Sequence, residues 1–170
     1  MNPSYVVALL IGLAACATDL RSRRIPNILT FTSAAAGLIF HVASSGVDGL
    51  IHAGGGWLVG VAVFFLPFAL GGMGGGDIKL LAALGAWLGP ALTLWLALYT
   101  GVAGGVMAIV VAVARGYLGQ AVSNLWTLLA HWRAFGLRPV HEITLEGSRA
   151  PKLAYAVPIF LGTVLTLWLR

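Results

Sequence analysis

Apolar residues fill long stretches of this chain, and the polar ones cluster in short breaks between them. Runs over 3–18, 28–43, 51–70, 77–88, 91–114 and 153–169 are strongly hydrophobic, and all but 77–88 are free of Asp, Glu, Lys and Arg. A helix needs about 20 residues to cross a bilayer, so the pattern predicts an all-α, polytopic integral membrane protein with about six transmembrane helices. The breaks carry recognisable stop signals. Arg21, Arg23 and Arg24 follow the first run, Ser44, Ser45, Gly46 and Asp48 form a polar turn after the second, and Gly89 and Pro90 separate the fourth from the fifth. Between the third and fourth runs, residues 71–76 contain five glycines and Met73. Glycine gives up more backbone entropy in a helix than any other residue, so the chain is expected to break there.

One sizeable polar stretch remains, from about 115 to 152. Within it Val122, Leu125, Trp126, Leu129 and Trp132 recur at helical spacing opposite Ser123, Asn124, Thr127 and His131. Two readings fit equally: an amphipathic helix lying in the membrane interface, or a helix packed as a cap over the bundle. Six crossings leave no room for a separate soluble domain, so residues 1–170 read as one membrane-embedded domain. Gly56 with Gly60, Gly85 with Gly89, and Gly101 with Gly105 are small pairs one turn apart, suited to close helix approach.

Composition agrees. Only 9% of the 170 residues are charged and 59% are hydrophobic, against about 25% charged in a soluble domain. The net charge of +5 would suggest nucleic acid in a soluble protein, but here the basic residues flank apolar runs and read as topology signals, with no nucleic-acid partner implied. Arg21, Arg23, Arg24, Lys79, Arg115, Arg133, Arg138, Arg149 and Lys152 fall on one side of the six-span layout and Arg170 on the other. That asymmetry places the first group in the cytoplasm and the N-terminus outside. The one cysteine, Cys16, supports neither an internal disulfide nor a thiolate cluster. His41, His52, His131 and His141 show no metal-ligand spacing, so no metal or cofactor is expected.

The acidic residues carry the remaining information, because an ionised carboxylate in hydrocarbon is costly. Asp48 lies in an outside turn, and Glu142 and Glu146 lie in the long loop. Asp19 and Asp77 differ. Taken singly, Asp19 reads as an interfacial charge paired with Arg23 four residues on, and Asp77 as a helix cap after the glycine run. Taken together, both fall at the cytoplasmic ends of their spans, at similar depth on different helices. Two converging carboxylates can share one proton: the ionised one draws a proton from an attacking water, and the protonated one donates to the peptide carbonyl. Glycines ahead of Asp77 would let a substrate backbone come close. Phosphate-binding and nucleophilic-serine motifs are absent from the sequence.

Residues 74–81, Gly-Gly-Gly-Asp-Ile-Lys-Leu-Leu, resemble the Gly-x-Gly-Asp motif of membrane aspartic peptidases, in the Gly-Asp-(Val/Ile)-Lys-Leu form of the type IV prepilin peptidases. Asp19, Leu20 and Arg21, followed by Ile25, Pro26 and Asn27, resemble the segment around that family's first catalytic aspartate. The resemblance extends through all six spans. It implies an endopeptidase that removes the basic leader of a prepilin or pseudopilin, cutting after a glycine at the cytoplasmic face of the bacterial inner membrane. The pilus assembly machinery is the implied partner. Asp19 and Asp77 would be catalytic, with Gly74, Gly76 and Lys79 completing the motif, Lys79 either orienting the Asp77 region or anchoring it to the interface. Longer relatives add a cysteine-paired domain that methylates the new N-terminus; the short chain resembles the peptidases of tight-adherence (Tad/Flp) pilus systems, without methylation. Residues 154–158, Ala-Tyr-Ala-Val-Pro, depart from the Pro-Tyr-Gly-like turn expected in the last span.

A different class, a small proton-coupled transporter or channel, predicts an ionisable relay in mid-bilayer, which this distribution of acids does not supply.

Overall fold

In the computed structural model, residues 2–138, 144 and 153–170 are described, and they contain five α-helices and no strand. Glu142, Glu146, His141, Arg149 and Lys152 lie outside the described residues. The helices are α1 (Pro3–Ser22), α2 (Asn27–Ala69), α3 (Gly75–Ala114), α4 (Leu118–Phe135) and α5 (Ala156–Leu169). The first three are long and apolar enough to cross a membrane.

Local sequence sets the helix ends. Asn2 caps α1 by accepting the Ser4 N–H at 3.0 Å, with Pro3 in the first turn, where its missing N–H costs nothing. At the other end Arg23 adopts a left-handed conformation (φ 53°) and donates its N–H to the Asp19 carbonyl at 2.8 Å. The helix therefore runs past Thr18 and holds Asp19 in its last turn. Extended Pro26 launches α2. Between α2 and α3, Gly71 (φ 76°) turns the chain, and the Gly72 N–H closes onto the Pro67 carbonyl at 2.9 Å.

At 1.5 Å per residue, α2 and α3 would each be about 60 Å long if straight, twice the hydrocarbon thickness. Neither is straight. Gly46 breaks α2 (φ 59°, ψ −128°) and Gly89 breaks α3 (φ 76°, ψ 172°), and the chain doubles back at both. Across the first reversal Gly49 rests on the His41 carbonyl and the His41 and His52 rings stand 5.0 Å apart. Across the second, Gly85 and Thr93 meet, although eight helical residues would separate them by about 12 Å. Both breaks fall in the turns that the hydrophobic pattern predicts.

The segment 75–88 forms the centre. Leu80, Leu81, Ala83, Leu84 and Ala86 are wholly buried, as expected of a helix hydrophobic all round. The two halves of α2 hold it through bare backbone: Gly56 meets Gly85, Gly60 meets Ala82, and Gly37 meets Trp87. The Trp87 indole also donates to the Ser33 carbonyl at 2.9 Å. Among the described residues the Gly101 and Gly105 pair makes no such contact; Gly104 does, against Tyr155. Helix α5 packs on α1 and α3, with Phe160 against Gly12 and Gly162 against Thr100. It begins at Ala156 rather than Leu153, because the turn from Ala154 to Val157 closes first. No residue of α4 is buried, as a cap packed over the bundle would require.

Candidate active site

Asp19 is 7% exposed in the last turn of α1. Its Oδ2 accepts the backbone N–H of Ala156, the first residue of α5, at 3.2 Å. A buried carboxylate needs donors to offset lost hydration, and the positive end of a helix macrodipole favours its charge.

Asp77 is the third residue of α3. Its Oδ2 accepts the Gly74 N–H at 3.2 Å, and its own N–H donates to the Gly74 carbonyl at 3.1 Å, a reciprocal cap of the helix start. The capping role read for Asp77 taken singly is therefore present, and it holds the carboxylate in the cleft described next. A Cβ at Gly74 would lie 3.0 Å from Asp77 Oδ2, so the carboxylate would have to give way by a few tenths of an ångström. Gly76 seats α3 on Ile25, whose Cβ would be 3.3 Å from an added methyl.

Both aspartates open onto one cleft of about 500 Å³, lined also by Arg23, Arg24, Ile25, Pro26, Asn27, Gly74, Gly76, Leu153 and Tyr155. Two carboxylates in one cleft with cationic groups at its edge can share a proton and activate water, the requirement for acid–base hydrolysis. Among the described residues no three metal-ligating side chains come together.

Four of the five sequence-derived site residues, Asp19, Asp77, Gly74 and Gly76, line this cleft. Lys79 does not: its Nζ donates to Asn27 Oδ1 at 3.0 Å and stands 5.5 Å from the centre of the Phe31 ring. The cleft also holds Tyr155, and Ala156 lies beside it; the sequence marked both only as part of a departing stretch. Tyr155 packs its ring edge-on to Phe64 at 6.3 Å and presses its phenol on Gly104, while Ala156 holds Asp19. The unusual Ala154–Pro158 stretch was the signal for them.

The fold and site define a helical membrane protein with paired carboxylates in one cleft. A profile of the type IV leader peptidase family matches residues 6–109, and the chain belongs to that family. The match stops short of α5, so it covers less than the resemblance through all six spans had implied. Three curated relatives are each described as a prepilin leader peptidase/N-methyltransferase. The Neisseria gonorrhoeae protein is 36% identical over 65% of this chain, the Klebsiella pneumoniae protein 38% over 49%, and the Dickeya chrysanthemi protein 36% over 46%. The matched regions span 40%, 39% and 30% of those relatives, respectively. No solved structure matches the chain significantly.

Proposed function

We propose that this protein is an aspartic endopeptidase that removes the basic leader from prepilins or pseudopilins at the cytoplasmic face of the bacterial inner membrane. The observation that carries this reading is the convergence of Asp19 and Asp77, 58 positions apart as their numbers give, on one cleft. The activity for which the relatives are described agrees with it.

If each half of α2 and α3, divided at Gly46 and Gly89, is one pass, these four with α1 and α5 would make six. The basic residues then put the cleft, with Arg23 and Arg24 on its wall, at the cytoplasmic side and the N-terminus outside. A precursor whose basic leader stays in the cytoplasm and whose apolar helix lies in the bilayer would present its boundary at this depth. With one aspartate ionised and the other protonated, the first takes a proton from water as its oxygen attacks the scissile carbonyl. The second protonates the carbonyl oxygen; on collapse of the tetrahedral intermediate it takes a proton back from a hydroxyl, while the first gives the proton drawn from water to the departing amine. The N–H groups of Ala156 and Gly74 hold one oxygen of each carboxylate, leaving the other for water and substrate.

The test uses purified protein in lipid with candidate prepilins, followed by sequencing of the new N-termini. The expected product is a single cut after a glycine at the leader boundary. Asp19→Asn and Asp77→Asn should each lower the rate at least about a thousandfold while still accumulating in the membrane. Full processing by either variant overturns the assignment.

A further inference from the structure

Lys79 and Asn27 form a contact that the hydrolytic scheme does not use. Asn27 opens α2 and lines the cleft, whereas Lys79 sits two residues beyond Asp77, outside the lining. An ammonium has donors only. The atom of the Asn27 carboxamide facing Lys79 is therefore its oxygen, at 3.0 Å, and this orients the NH2 group away from the lysine. Among the described residues the Asn27 side chain makes that one hydrogen bond.

A peptide drawn into a partly apolar cleft must exchange the water on its backbone carbonyls for protein donors, or lose the full desolvation cost. Of the uncharged side chains lining the cleft, only Asn27 and Tyr155 carry donors, and the Tyr155 phenol is pressed against Gly104. Gly76 on Ile25 and Lys79 on Asn27 also tie the start of α3 to the start of α2. A donor on Asn27 is thereby held in register with Asp77.

We propose that the Asn27 carboxamide donates to a backbone carbonyl of the bound peptide, and that Lys79 is the positioning residue that keeps its NH2 group turned toward the cleft. The proposal rests on the cleft being the peptide-binding site of a peptidase. It assigns Lys79 a role in binding through Asn27, distinct from anchoring the helix to the interface.

The experiment measures binding of a fluorescent precursor peptide, basic leader plus the first apolar residues, to the full chain carrying Asp77→Asn in lipid nanodiscs, so that cleavage does not intervene. On that background Asn27→Leu and Lys79→Met should each weaken binding about five- to tenfold, the span of one lost hydrogen bond. The double variant should be no weaker than the worse single one, because both changes remove the same interaction. Lys79→Arg, which keeps a donor, should restore binding to within about twofold of the Asp77→Asn parent. Binding unchanged in Asn27→Leu or Lys79→Met, losses that multiply in the double variant, or no recovery with Lys79→Arg overturns the proposal. Cleavage by protein with Asp77 intact is followed alongside. Peptide that binds through Asn27 and is never cut overturns the peptidase reading alone, and cleavage with unaltered variant binding overturns this proposal alone.

Discussion

The Asp19 carboxylate and the Ala156 backbone N–H meet at 3.2 Å across 137 positions of sequence. The contact joins the end of α1 to the start of α5 and makes the last helix part of the site, although the family match ends at residue 109. It also gives both aspartates the same kind of support. Each carboxylate receives a backbone N–H at a helix start, Ala156 for Asp19 and Gly74 for Asp77. Two carboxylates held close together oppose ionisation of both at once.

That opposition has a kinetic consequence. If the working state has one carboxylate charged and one neutral, the cleavage rate should pass through a maximum with pH. On the acid side both are protonated and the base is lost; on the alkaline side both are ionised and the acid is lost. The profile is read from initial rates on a precursor peptide in buffers of constant ionic strength, and a flat profile from acid to alkaline pH contradicts the dyad.

Close packing between α2 and α3 should make Gly56 intolerant of a methyl group. A Cβ there collides with the carbonyl of Gly85, a backbone atom that cannot rotate away. Gly56→Ala should destabilise the protein by about 3 kcal/mol, the upper end of ordinary overpacking. Gly54→Ala, two residues earlier with nothing within 4 Å of its new methyl, should change stability by no more than about 0.5 kcal/mol. Thermal unfolding in detergent micelles compares the two, and equal effects would mean that the helices are not in this register.

Arg23 is the one non-glycine residue with positive φ among the described residues, at 53°. The left-handed region costs a β-carbon about 1–2 kcal/mol. Arg23→Gly should therefore be more stable than Arg23→Val by roughly that amount, a comparison in which both variants lose the guanidinium. The difference is measured by unfolding of the two proteins side by side, and equal stability would show that the turn after Asp19 is not left-handed.

Much of this molecule is legible without coordinates, because membrane insertion leaves a coarse one-dimensional record. Hydrocarbon excludes charge, so the apolar runs mark the helices, and Gly46 and Gly89 mark the reversals that the structure contains. The same exclusion made Asp19 and Asp77 conspicuous. Spacing alone did not separate glycines that pack from glycines that do not. Gly101 and Gly105 repeat the spacing of Gly56 and Gly60, yet among the described residues nothing packs on them and Gly104 meets Tyr155 instead.

Residue types and their periodicity were thus enough for the helical class, the breaks and the two candidate carboxylates. Tertiary packing alone decided that those carboxylates share a cleft, that Ala156 supports Asp19, and that Lys79 reaches Asn27 rather than the cleft. The reason is physical. A backbone N–H is the same group in almost every residue, and a lysine's partner depends on where another helix begins, so neither leaves a mark in the order of the side chains.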